Sequence, residues 1–166
     1  MAAGSIVAFL RTRGYAMAPA RRARLVSLSV WQIIVVEHAA RRIAAADDPS
    51  DPTIVQVDDA DVAGFIDAYA ARLPPEMRKD FVRFLAYLEH VAPLGLGWAT
   101  RFSRLGPADQ DRVLASLEAS TTPLLRAGFA GLKALVFMGY YRDPRTWKLL
   151  GYAGPRVNRP ADGWWR

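Results

Sequence analysis

Apolar residues recur along this chain at the three-to-four residue spacing of buried helical stripes. Leu25, Leu28, Trp31, Val35 and Ala39 mark the first, between Pro19 and the Asp47-Asp48-Pro49 break. Asp58-Asp59 offers N-cap acceptors and first-turn negative charge to a second helix with the stripe Val62, Phe65, Ile66, Tyr69 and Leu73. Leu73-Pro74-Pro75 stops it, and Pro75 is suited to the first turn of the next helix. That third stripe, Met77, Phe81, Phe84, Leu85, Leu88 and Val91, is backed by Arg78, Lys79, Asp80, Arg83 and Glu89, the clearest amphipathic pattern in the chain. Pro93 to Trp98 reads as a link whose glycines, Gly95 and Gly97, admit conformations other residues avoid. Thr53 to Val57 is short and β-branched, an extended connector with no visible partner strand, so a sheet is not expected.

The second half repeats one start signal: Gly106-Pro107, Thr122-Pro123 and Asp143-Pro144 each place a possible cap before a proline. Ala108 to Ala119 is amphipathic through Val113, Leu114 and Leu117. Pro123 to Tyr141 is apolar almost all round apart from Arg126 and Lys133, and is expected to be the central, most buried helix. Its small residues Ala127, Gly128, Ala130, Gly131 and Ala134 permit close approach of neighbouring backbones. The pattern predicts an all-α fold: a single compact domain of five or six helices with an extended aromatic C-terminal tail. The expected divisions are a basic N-terminal arm at 1–20, flexible or partner-bound, a helical domain at 21–156 and a tail at 157–166.

Length supports one domain, since 166 residues bury roughly 68–70% of the unfolded surface. A hydrophobic share of 52% leaves apolar surface to spare, which points to a partner, yet no apolar run reaches the ~18 residues of a spanning helix. The net charge of +6 raises nucleic acid as a ligand. Arg11, Arg13, Arg21, Arg22 and Arg24 crowd the N-terminal segment, but the other basic residues are scattered among Asp and Glu, and an acidic protein surface fits equally well. Absence of cysteine excludes disulfides and thiolate metal sites. Arg21-Arg22 ahead of Leu25 to Val36 superficially resembles a twin-arginine export signal, although Arg24, Glu37, His38 and Arg41-Arg42 fit that pattern poorly. An amphipathic helix behind a basic arm is the plainer reading.

Groups for chemistry are scarce. His38 and His90 each follow a glutamate, and neighbours project ~100° apart on a helix, so neither pair has the Glu-x-x-His spacing of diiron bundles. Asp47, Asp48 and Asp51 lack the calcium-loop pattern and read as solvated turn residues. Nucleophile-elbow, dinucleotide and Walker motifs are missing. Tyr140 or Tyr141 beside Arg142 has no second titratable group nearby, and packing or interface roles fit these tyrosines better. No catalytic, cofactor-binding or metal-binding residue is therefore expected.

Phe102-Ser-Arg-Leu-Gly-Pro-Ala-Asp-Gln-Asp-Arg-Val-Leu-Ala-Ser-Leu-Glu-Ala-Ser120 and the later Leu132-Lys-Ala-Leu-Val-Phe-Met-Gly-Tyr-Tyr-Arg-Asp-Pro-Arg-Thr-Trp-Lys-Leu-Leu-Gly-Tyr152 resemble the gluconate 2-dehydrogenase subunit 3 family. The similarity covers roughly residues 20–156, and Tyr-Tyr-x-Asp-Pro-x-Trp-x-x-Leu-Gly-Tyr is its most specific part. The resemblance implies a non-catalytic helical partner of a bacterial glucose-methanol-choline (GMC) type oxidoreductase. There the large subunit holds FAD, a cytochrome or other acceptor takes the electrons, and the small subunit assists maturation, stability or export. It also implies a periplasmic hetero-oligomer. Departure from the twin-arginine pattern leaves the cytoplasm as the alternative.

An aromatic tail can lie along a larger protein, where Tyr and Trp bury much area at small entropic cost. Tyr140, Tyr141, Trp147, Tyr152, Trp164 and Trp165 are the expected contacts, with Arg142 and Arg145 bridging to acidic groups of the partner. The competing reading folds Tyr140, Trp147 and Leu150 back on the domain's own core. Two other functions stay open: a basic helical nucleic-acid-binding module and a peripheral membrane protein.

Overall fold

The computed structural model describes residues 14–44, 51 and 53–154. Its helices are α1 (Pro19–Arg22), α2 (Val30–Ile43), α3 (Val62–Arg72), α4 (Pro75–His90), α5 (Ala92–Gly95), α6 (Pro107–Glu118) and α7 (Pro123–Tyr141). Two 3-10 segments, Phe102–Arg104 and Pro144–Leu150, complete the order, and the described residues contain no strand. Pro75, Pro107, Pro123 and Pro144 each stand at the start of an element, where the missing N–H has no intrahelical partner to lose.

Helix α2, not α7, is the centre of the fold. It buries seven of its 14 residues and packs against α3, α4, α6, α7 and the Phe102–Arg104 turn. Ile33, Val35, Val36 and Ala39 are sealed from solvent there. The apolar stretch that superficially resembled a signal segment is thus the heart of the core. Helix α7 buries only six of its 19 residues. It packs on α3 and α6 along one face, and the described residues leave the other uncovered.

Several boundaries differ from the periodicity. The Ser29 N–H donates to Gln32 Oε1 at 2.7 Å and α2 starts at Val30, so Leu25 and Leu28 lie ahead of the helix. They are held there by Asp67 of α3, whose carboxylate accepts the N–H groups of Val26 (2.6 Å), Ser27 (2.9 Å) and Leu28 (2.6 Å). Helix α3 begins at Val62 behind Asp61, which adopts φ 49°, a left-handed conformation that Asp tolerates, rather than behind Asp58-Asp59. Asp58 instead pairs with Arg41 at 3.0 Å. The expected link after Pro93 contains the one-turn α5.

The last residues of the expected arm make contacts with the helices. Tyr15 donates to Glu89 Oε1 at 2.7 Å, and the Arg101 guanidinium lies 4.0 Å from the Tyr15 ring centroid and donates to the Gly14 carbonyl at 2.9 Å. Residues from Gly14 onward therefore belong to the folded body. Arg21 pairs with Glu37, which α2 buries. Glu37, Asp67 and Glu89 are buried carboxylates, and each grips the segment ahead of α2.

Candidate partner-binding surface

The uncovered face of α7 forms one wall of an apolar groove. Leu124, Ala127, Gly131, Ala134 and Met138 recur at helical spacing along it. The opposite wall is α4, through Met77, Phe81, Phe84 and Tyr87, and Tyr69 of α3 and Leu73 just past its end also line the space. The cavity measures about 820 Å³ and opens to solvent. Leu124 is 75% exposed, Met77 58% and Met138 51%. Of the α4 stripe, clear in the sequence, Met77 at its start is thus left uncovered by the described residues, while Phe81 is half-buried and Phe84 buried.

Small residues shape this wall. A side chain on Gly128 would run into the Phe84 ring, so this glycine lets α7 approach α4. Gly131, one turn on, faces open space with nothing within 4 Å of a Cβ position. Asp80 and Arg83 are the charged residues among the groove's lining, and they pair with each other at 2.8 Å.

The aromatic segment expected to meet a partner divides in two. Tyr140 is buried, and its hydroxyl donates to the Val55 carbonyl at 2.8 Å, as the reading that folds it back on the core expects. Burial and the neighbouring Tyr141 and Asp143 push that hydroxyl's pKa up. Trp147 is half-buried, donates its indole N–H to the Tyr141 carbonyl at 2.8 Å and meets Tyr152 edge-on at 5.3 Å. Tyr141 stacks on Phe137 with centroids 6.0 Å apart.

Arg142 lies 5.2 Å over the Phe65 ring, and Arg145 grips Asp143 while donating to the Asp59 carbonyl at 2.9 Å. That grip holds the Asp143 carboxyl below its usual range. Tyr152 and Leu150 remain exposed, and Trp164 and Trp165 lie outside the described residues. The groove itself was missed by sequence reasoning. Its signal was there: a helix too apolar for a solvated face is a core helix or a covered one.

His38 and Gln110 meet at 3.0 Å between Nδ1 and the amide nitrogen, which also donates to the Phe102 carbonyl at 3.1 Å. Because that amide nitrogen only donates, Nδ1 accepts and the neutral ring carries its proton on Nε2. Burial, then Arg41, lowers the His38 pKa. Among the described residues no group of three His, Cys, Asp or Glu is placed to hold a metal ion, and no helix is long and apolar enough to cross a membrane. Arg21, Arg41 and Arg42 are engaged by Glu37, Asp58 and Asp111.

Fold and surface together define a class: an all-α domain whose central helix is α2 and whose last long helix presents an uncovered apolar face. The family model described as gluconate 2-dehydrogenase subunit 3 matches residues 32–154, well over half of the chain, and the protein belongs to that family. The family is that of a dehydrogenase-complex subunit. No curated protein and no solved structure matches the chain.

Proposed function

We propose that this chain is the non-catalytic small subunit that binds, stabilises and helps mature or export an FAD-dependent GMC-type alcohol or sugar dehydrogenase. The uncovered apolar face of α7 carries the reading, because a helix with Leu124 and Met138 in water is a surface that gains by being covered. Membership of a dehydrogenase-subunit family supplies the kind of partner. FAD resides in the large subunit, a cytochrome takes the electrons, and the hetero-oligomer is periplasmic. Of the N-terminal arginines on which the nucleic-acid alternative rests, Arg21 is engaged by Glu37, which leaves less free charge for phosphates.

Co-expression with the FAD-dependent oxidoreductase from the same genome tests the assignment. The large subunit should gain solubility and FAD content when this chain is present, and the two should elute together. Full maturation of the flavoprotein without this chain, and separate elution with it, sinks the proposal.

A further inference from the structure

We infer that the groove between α4 and α7 seats a single apolar helix of the large subunit, an assignment that rests on the accessory-subunit reading above. The uncovered stripe from Leu124 to Met138 rises about 21 Å along α7, close to four helical turns. Its middle is Gly131 and Ala134, and Gly131 has nothing within 4 Å of a Cβ position. Such a wall lets an incoming helix approach at the short end of the ~8–10 Å interaxial range. Met77 of α4 stands across from it as a second, unsatisfied wall.

Charge selects the occupant. Asp80 and Arg83 neutralise each other on the rim, so the groove asks for no compensating ion from its guest. A small polar ligand needs several converging polar groups to fix it, and this space does not provide them. The apolar face of a helix needs none. A second copy fits poorly as well, because a two-fold interface sets the same surface against itself and two concave grooves leave a void between them. The apolar lining fits the convex apolar face of a helix, and membership of a dehydrogenase-subunit family makes the large subunit the chain that supplies it.

Photo-crosslinking tests this on the co-expressed complex, with p-benzoylphenylalanine placed at Gly131 or at Arg112, an exposed position on α6 outside the groove. Position 131 should crosslink to peptides of the large subunit recurring every three to four residues, and position 112 should not. In parallel, Gly131→Trp and Ala134→Asp, both at exposed positions, should keep the wild-type far-UV spectrum and lower affinity for the large subunit by at least about tenfold. Crosslinking from 112 instead of 131, or folded variants that bind like wild type, overturns the groove assignment and leaves the accessory reading standing. Crosslinks between two copies of this chain, or a small molecule retained in native mass spectra of the isolated protein, also overturn it. Failure of the wild-type chains to associate at all rejects the accessory reading itself.

Discussion

The hydroxyl of Tyr15 donates to Oε1 of Glu89 at 2.7 Å, joining the segment ahead of α1 to the last turn of α4. Glu89 is fully buried, and its carboxylate also accepts the Ser103 N–H at 3.0 Å and the Ser103 hydroxyl at 2.6 Å. Burial and the bond to Glu89 hold the Tyr15 hydroxyl well above its usual pKa, so it stays a donor across the neutral range. One side chain thus ties together three separate parts of the chain.

Replacing Glu89 by Ala leaves the Tyr15 and Ser103 donors without their acceptor, and should lower unfolding stability by about 3–5 kcal/mol. Tyr15→Phe removes one hydrogen bond with little change of shape and should lose about 1 kcal/mol. Urea unfolding followed by far-UV circular dichroism checks both. Equal losses for the two variants would show that Glu89 is not the hub.

Gly128 and Gly131 occupy the same helix and predict opposite outcomes. Gly128→Ala drives a methyl group into Phe84 and should cost about 1–3 kcal/mol, because α4 and α7 must separate. Gly131→Ala meets nothing and removes the flexibility of an exposed helical glycine, so it should gain about 0.5–1 kcal/mol. Thermal melts of both variants beside wild type decide the matter.

Acid should destabilise the fold through His38. Burial and Arg41 lower its folded pKa below the ordinary value of 6.5, so the unfolded chain binds the proton more readily. The stability contributed by the neutral ring is present above pH 6.5 and is lost as pH falls from there through the folded value. Glu37 runs the other way: burial raises its pKa, and its share is lost as pH rises above 4.5 through the folded value. Urea midpoints measured about one unit either side of 6.5 should fall on the acid side, and His38→Gln, neutral throughout, should flatten that difference. An unchanged slope in the variant assigns the effect elsewhere.

The helix starts were legible because proline at a first turn is a local signal, and Pro75, Pro107, Pro123 and Pro144 all obey it. The family was legible from the same region, through the aromatic segment that follows Tyr140. The identity of the central helix was not. An apolar α7 has one composition whether its own chain covers it or another chain does, and only the placement of α4 shows which face is left over. Glu89 read as part of a solvated backing because its partners Ser103 and Tyr15 stand 14 and 74 positions away. The sequence left Tyr140 between two readings for the same reason: its acceptor, Val55, lies 85 positions back in a stretch that reads as a connector.

Asp143 holds the last described turn, and its loss should loosen that turn alone. Its carboxylate accepts the Arg145 N–H at 2.9 Å, as a helix cap does, and also binds the Arg145 guanidinium. The Arg145 guanidinium reaches on to the Asp59 carbonyl, so the cap anchors Pro144–Leu150 to the stretch before α3. Asp143→Ala removes both bonds while leaving the Trp147 indole on the Tyr141 carbonyl. Opening of a capped turn scales with the cap's contribution, so amide hydrogen exchange at 145–148 should quicken by about fivefold. Exchange in α2, whose protection comes from burial against four other helices, should not change. Faster exchange in both would mean that this turn supports the whole core, and no change in either would mean that Arg145 and Trp147 hold it without the cap.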